Sequence, residues 1–208
     1  VARERATALL VDFDGVLRRW DPSVASGVER EYGLSEGVLT EIAMQWGRLQ
    51  PVVTGRVSHA DWVTSVADAL ADSAGGPERA RAAVEQWQRY RGEVDPEVLD
   101  FVREVRAGGV RVGLGTNATD LLDADLAALG LVGELDVVVN SSVLGVHKPA
   151  KEYFQAACEA LATPPARVLF VDDEDWAVRG ARAAGLSAHR WSGSGDLRYL
   201  RAALATGG

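Results

Sequence analysis

Asp12 and Asp14 occupy alternate positions at the end of an apolar run, Leu9-Leu10-Val11-Asp12-Phe13-Asp14-Gly15-Val16. Alternation has period two, so on a strand both carboxylates leave the same side where it ends. Two carboxylates that close repel unless a proton or a cation lies between them. A hard divalent ion such as Mg2+ takes oxygen ligands and would settle them. Such a pair at the carboxyl end of a buried parallel strand lies where open α/β sheets bind their ligands. The same residues also suit an acidic turn after a strand, since Asp and Gly are ordinary turn formers.

Three further polar clusters each follow an apolar run. Gly115-Thr116-Asn117 places a hydroxyl before backbone N–H groups at a helix start, which suits a phosphate oxygen and equally suits an N-cap. Val146-His147-Lys148-Pro149 offers a lysine that would neutralise an oxyanion, although most lysines are simply solvated. In Phe170-Val171-Asp172-Asp173-Glu174-Asp175 the dipole of a following helix accounts for two or three of the acids. It does not account for Asp172 and Asp173 pressed against a buried strand, where like charges repel and a metal would relieve them. Each cluster alone is ambiguous; four of them at successive strand ends point to one site. Arg18 and Arg19 would either draw an anion to its mouth or form a solvated loop, and the loop is the preferred reading. His59, His147 and His189 read as non-catalytic, with His147 shaping the Lys148 loop.

Five apolar runs must position these residues, at 8–13, 110–115, 135–139, 168–171 and 188–191. None alternates cleanly with polar residues, as expected of parallel strands covered on both faces. Helical patterns separate the last four. Asp95-Pro96 caps one that ends at Gly108-Gly109, Thr119 or Asp120 opens a second that stops at Gly130, and two more cover 150–161 and 175–184. This alternation predicts an α/β fold, a Rossmann-like doubly wound parallel sheet with right-handed crossovers. The long stretch between the first two strands breaks the rule. It carries helical patterns near 22–32, 35–46, 58–71 and 78–90; the third puts Trp62, Val63, Val66, Ala69 and Leu70 on one face behind Ser58 as N-cap. A helical bundle inserted into the sheet domain follows, with a core domain of 1–19 and 93–208 and a cap domain of 20–92.

Apolar residues at 47% and charged residues at 25% of 208 are those of a soluble globular chain. A net charge of −8 argues against nucleic-acid or anionic-membrane partners, while a metal and one lysine can still invert the field inside a cleft. Cys158 is the only cysteine, which excludes an intrachain disulfide and reads as a buried core residue in a reducing compartment. No run reaches the roughly 20 apolar residues of a membrane span, and Val1-Ala2-Arg3-Glu4-Arg5 lacks the apolar core of a signal peptide. The expectation is a cytoplasmic protein, monomer or homodimer.

On these residues the chain resembles the haloacid dehalogenase (HAD) superfamily, whose best-populated branch is Mg2+-dependent phosphatases. The resemblance runs from Leu9 to Trp191. Asp12, Asp14 and Gly15 match its Asp-x-Asp-Gly motif, Thr116 the Ser or Thr closing the second strand, Lys148-Pro149 its Lys-Pro motif, and Asp172-Asp173 its paired acid. The helical insertion lies where one branch carries a cap. Ala177 departs from the pattern, standing where many family phosphatases have Asp or Asn. So does Leu17-Arg18-Arg19-Trp20, where many capped members carry an acid.

The resemblance implies a HAD-like core with a helical cap and a phosphomonoester hydrolase acting through an aspartyl-phosphate. Asp12 is then the nucleophile and Asp14 the general acid and base. Mg2+ is held by Asp12, the Asp14 backbone carbonyl and Asp173, with Asp172 acting mainly through water. Thr116, the Asn117 amide and Lys148 hold the phosphoryl oxygens. The partner implied is a small phosphorylated metabolite, with Arg56 and His59 as cap residues that set specificity. Three rivals share the fold. A 2-haloacid dehalogenase uses the same nucleophile on carbon without metal, but usually has Tyr in place of Asp14 and lacks the paired acids. A phosphomutase needs a second phosphate site, for which Arg56 and His59 are candidates. A binding module has only Ala177 in its favour.

Overall fold

The chain first forms a strand, β1 (Ala8–Val11), in which Leu9 and Val11 face one side and Ala8 and Leu10 the other, and both sides are buried. A computed structural model describes residues 5–204; the reading of the N-terminus rests mainly on residues 1–4, which lie outside the described residues. After β1 come the two-residue β2 (Arg18–Arg19), then five helices: α1 (Pro22–Tyr32), α2 (Val38–Ala43), α3 (Trp46–Val53), α4 (His59–Leu70) and α5 (Pro77–Gln88). The chain returns through β3 (Glu93–Val94) and α6 (Pro96–Ala107) to β4 (Arg111–Thr116), α7 (Leu122–Ala128), β5 (Val137–Asn140), α8 (Ser141–Leu144) and α9 (Lys151–Ala160). It finishes with β6 (Val168–Asp172), α10 (Asp175–Ala183), β7 (Ser187–Arg190) and α11 (Leu197–Ala203).

The main sheet has the order β5-β4-β1-β6-β7, every pairing parallel. From β1 the chain builds outward through β4 to β5, then crosses to the other side of β1 for β6 and β7. That reversal makes the carboxyl end of β1 a switch point, where open α/β sheets form their ligand crevice. Val11 lies opposite Leu114 of β4 and Val171 of β6, so Asp12, Thr116 and Asp172 emerge from three adjacent strands at the same edge. One face packs on Val98, Phe101, Val102 and Val105 of α6 together with α11, the other on Tyr153, Phe154 and Ala157 of α9 with Ala177 and Ala181 of α10. Cys158 lies in this second layer, and burial pushes its thiol up to about 11. Among the described residues no helix is long and apolar enough to cross a membrane.

Helices α1–α5 share an apolar core of their own, built on Leu39, Val52, Trp62, Val66, Leu70, Ala80 and Val84. Ser58 caps α4 in a reciprocal box with Asp61, which satisfies two orphan N–H groups at once. The helix expected over 35–46 is the shorter α2, ending at Ala43, and α3, from Trp46 to Val53, lies where no helix was expected. The buried Glu29 carboxylate accepts from the N–H groups of Gly37 and Leu39, a tertiary contact that fixes where α2 begins. The two connections to the sheet layer pair as the short antiparallel ribbon β2-β3, with Arg18 opposite Val94 and Arg19 opposite Glu93.

Candidate active site

Lys148 is the centre of the cluster, though it lies on the loop between α8 and α9 and not at the end of β5 as expected. Its ammonium lies 2.8 Å from Oδ1 of Asp12 and 2.6 Å from Oδ2 of Asp172, and all three residues are buried. The lysine's position is set by Asn117: the Asn117 Oδ1 accepts from the Lys148 backbone N–H at 2.8 Å, and Nδ2 donates to the Lys148 carbonyl at 3.2 Å. Asn117, expected among the phosphate ligands, thus commits its side chain to the Lys148 backbone. Only its main-chain amide is left for the expected contact. His147 also hydrogen-bonds the Lys148 carbonyl, in keeping with a role in shaping this loop. Thr116, closing β4, is 1% exposed and stands at the strand end neighbouring Asp12.

Side-chain oxygens of Asp12, Asp172 and Asp173 lie within 4.8 Å of one another. Three carboxylates against one ammonium leave two negative charges uncompensated, and a dication would match that surplus. An all-oxygen donor set suits Mg2+ better than a soft metal. The residues present therefore fit the ion. Burial raises Asp12 well above the usual carboxylate range, against the pull of Lys148 and with added repulsion from Asp172 and Asp14. Burial also raises Asp173, helped by repulsion from Asp172. Burial acts to lower Lys148, but the neighbouring Asp12 and Asp172 charges outweigh it and hold the ammonium above its ordinary range. The cluster is thus short of positive charge, the condition that cation binding relieves. The oxygens of Asp172 are committed to Lys148 and to the Glu174 N–H, while Asp173 is half-buried against Gly15. Gly15 has φ +80°, and a Cβ there would meet the Asp173 carboxylate at 2.2 Å. Only glycine allows that turn and that approach together.

Asp14 does not join the cluster. β1 ends at Val11, and the chain turns so that Gly15 N–H donates to the Arg18 carbonyl and Arg18 N–H to the Phe13 carbonyl. The Asp14 carboxylate accepts from Arg18 Nε at 2.7 Å, Arg18 Nη2 at 3.0 Å and Trp20 Nε1 at 2.6 Å. The side-chain pairing of Asp12 with Asp14 read from their spacing is corrected: Asp172 at the end of β6 and Asp173 just beyond it join Asp12, and a guanidinium satisfies the Asp14 carboxylate. Arg18 is likewise no solvated loop residue, being 5% exposed. Arg19 is exposed, and pairs with Asp95.

Sequence reading placed Arg18 at the site's mouth only as the less favoured option, and missed its pairing with Asp14 and Asp125 and the Trp20 contact to Asp14. For Arg18 a signal existed: a tight turn after Asp14-Gly15 brings residues four apart together. For Asp125, far along the chain on α7, there was none. Of the two cap candidates, His59 lies at the boundary with the sheet layer. Its ring contacts Thr119 Oγ1 at 3.2 Å and Gln88 Oε1 at 3.0 Å, and the His59 backbone N–H donates to Asp120 Oδ1. Burial, with the Arg91 charge nearby, holds the His59 ring below the usual histidine range. Arg56 is exposed on the α3–α4 connection, and among the described residues its side chain makes no hydrogen bond or ion pair. Ala177 is fully buried among apolar residues of α9 and α10, so Lys148 is held by two carboxylates without help from that position.

The haloacid dehalogenase-like hydrolase family matches residues 6–185. The chain belongs to this family and is a hydrolase of the HAD type. Phosphatase MT3486 of Mycobacterium tuberculosis (strain CDC 1551 / Oshkosh) is 31% identical over 202 residues, covering 92% of this chain and 90% of that protein. Among solved structures, the L-2-haloacid dehalogenase RSc1362 superposes with a TM-score of 0.73 at 20% identity, over 95% of this chain and 100% of that one. A variant of the HAD family enzyme bt-2542 from Bacteroides thetaiotaomicron, in complex with magnesium and inorganic phosphate, superposes with a TM-score of 0.68 at 18% identity, over 90% and 94%. At these identities the two structures show the shared fold.

Proposed function

We propose that this hydrolase cleaves small phosphate monoesters with Mg2+, through a phosphoryl group carried on Asp12. The observation that carries the reading is the set of buried Asp12, Asp172 and Lys148 with half-buried Asp173, two charges short of neutrality. Asp12, Asp173 and the Asp14 backbone carbonyl would hold the ion, which when bound supplies Lewis-acid neutralisation of the phosphoryl oxygens. The phosphatase relative supports the same chemistry.

Both donors to Asp12, Lys148 and the Phe13 N–H, go to Oδ1; Oδ2 takes neither and is the oxygen assigned to attack. In the first step a bond forms from Asp12 to phosphorus, the ester P–O bond breaks, and Asp14 gives its proton to the departing alkoxide. In the second, water attacks the same phosphorus, the bond to Asp12 breaks, Asp14 takes back a proton and inorganic phosphate leaves. Lys148, the Thr116 hydroxyl and the Asn117 main-chain amide neutralise and orient the remaining phosphoryl oxygens, so catalysis is mostly positioning and electrostatics. Residues 20–92 form a cap that excludes water and meets the leaving group, with His59 and Arg56 among its specificity residues. A dehalogenase would carry Asp14 and Asp173 as surplus buried or half-buried acids with no use for them.

A panel of phosphorylated metabolites assayed for phosphate release with Mg2+, and again with excess chelator, tests this reading. Release of phosphate from at least one ester, abolished by chelator, is expected. Full activity in chelator, or chloride release from 2-chloropropionate without metal, would overturn it.

A further inference from the structure

Asp14 is held entirely by residues outside the phosphate cluster, and their arrangement is more elaborate than a surface ion pair. Arg18 puts Nε and Nη2 on the two Asp14 oxygens as a fork. Its remaining terminal nitrogen, Nη1, turns the other way, to Asp125 Oδ2 at 2.9 Å and toward the Arg91 carbonyl at 3.4 Å. Asp125 is 5% exposed and accepts a second fork from Arg91, at 2.7 and 2.6 Å. Aromatic rings confine the Arg18 guanidinium, Phe13 at 4.0 Å and Trp20 at 4.5 Å from its central carbon. Two acids and two arginines make up this network, separate from the carboxylates that would take a metal. It links α7 to both connections of the helical lobe, since Arg18 lies in β2 and Arg91 just precedes β3.

We infer that Arg18, anchored by Asp125, is a positioning residue for the Asp14 carboxylate: it fixes where the proton donor points and ties that direction to the base of the helical lobe. The inference rests on the phosphatase reading above, in which Asp14 moves the proton. A planar fork sets direction as well as distance, which a lysine cannot do. Misplacing a catalytic group by about an ångström can cost on the order of 100-fold. That loss falls only on a step that needs the proton. A leaving group stable as an anion needs little help from Asp14, whereas a basic one needs it fully.

The test compares kcat/KM for two aryl esters of similar size, phenyl phosphate and 4-nitrophenyl phosphate, in wild type, Arg18→Lys, Asp125→Asn and the double variant, with Mg2+. Because kcat/KM ends at the first irreversible step, it reports transfer to Asp12 and not the later hydrolysis. Arg18→Lys is expected to lose about 30- to 100-fold on phenyl phosphate and less than about threefold on 4-nitrophenyl phosphate. Asp125→Asn should show the same asymmetry more weakly and add little to Arg18→Lys, because it acts through Arg18. Equal losses on both esters, or no loss on either in a folded variant, would overturn the role of Arg18 while leaving the phosphatase reading intact. Wild-type inactivity on every phosphate ester would overturn both. If Arg18→Lys does not fold, the near-isosteric Asp125→Asn decides by the same asymmetry.

Discussion

The strand-end cluster and the helical lobe are held by opposite kinds of force. At the strand ends, charges are buried and each is over-determined: Lys148 touches two carboxylates, Asn117 brackets its backbone from both sides, and Gly15 presses on Asp173. The lobe is internally apolar, but it meets the sheet layer through polar or edge contacts: His59 with Thr119 and Asp120, Arg91 with Asp125, and Trp46 edge-on to His147. Gly55 also runs so close to the Ser142 carbonyl that a Cβ would come within 2.2 Å. The exposed contacts among these exchange readily with water, whereas the strand-end cluster, and Asp125 buried beneath Arg18 and Arg91, cannot rearrange without stranding a charge. On the proposed function, chemistry falls to the strand-end cluster and selection to the helical lobe on its two short connections.

The largest effect should come from removing the metal. Chelation is expected to abolish turnover without unfolding the chain, and Asp173→Ala should raise the Mg2+ concentration needed for half-activity more than Asp172→Ala does. The reverse ranking would place the ion against Asp172 and undo the division of labour proposed for the two acids.

Lys148→Ala comes next. It leaves Asp12 and Asp172 buried without their cation, so all phosphate esters should slow by a common factor of about 100 or more. Urea unfolding should show a loss of about 3 kcal/mol. A factor that varies with substrate would mean Lys148 reads the leaving group, blurring the boundary between the two regions.

Leu70→Ala probes the lobe's own cohesion. The side chain is fully buried in the lobe core, and its truncation should cost about 2–5 kcal/mol. Hydrogen exchange should place the loosening in α2–α5 and leave β1, β4 and β6 protected. Uniform loosening would show that the lobe and the sheet unfold as one unit.

The smallest effects are expected at the boundary. Arg56→Ala and His59→Ala should change kcat/KM by several-fold, by different factors for different esters. Equal scaling of every ester would make the lobe a passive lid.

The positions of Asp12, Thr116 and Asp172-Asp173 were legible because each ends its own apolar run and a parallel sheet gathers those ends at one edge, whereas Lys148, expected at a strand end, reaches them from the loop between α8 and α9. The same local logic located the main-sheet strands and most helices. It failed where a distant residue decides. Glu29 fixes the start of α2, α3 carries Pro51 inside it and went unread, and β2 and β3 are two residues each with no periodicity to detect. The fate of Asp14 depends on Arg18, whose burial in turn depends on Asp125 and Arg91 from later segments. Reading Arg18 as solvated followed from its neighbours in sequence, none of which reveals a buried acid on α7.

The central claim is that the Asp12 carboxylate attacks phosphorus, and Asp12→Asn tests it most directly. The amide keeps the shape of the side chain and removes the attacking charge. Phosphate release by this variant should be measured at saturating Mg2+ beside wild type, with a thermal melt to verify the fold. The account predicts a folded protein with less than about 1% of wild-type turnover, a barrier increase of roughly 3 kcal/mol or more; a folded variant that retains more than that would contradict it.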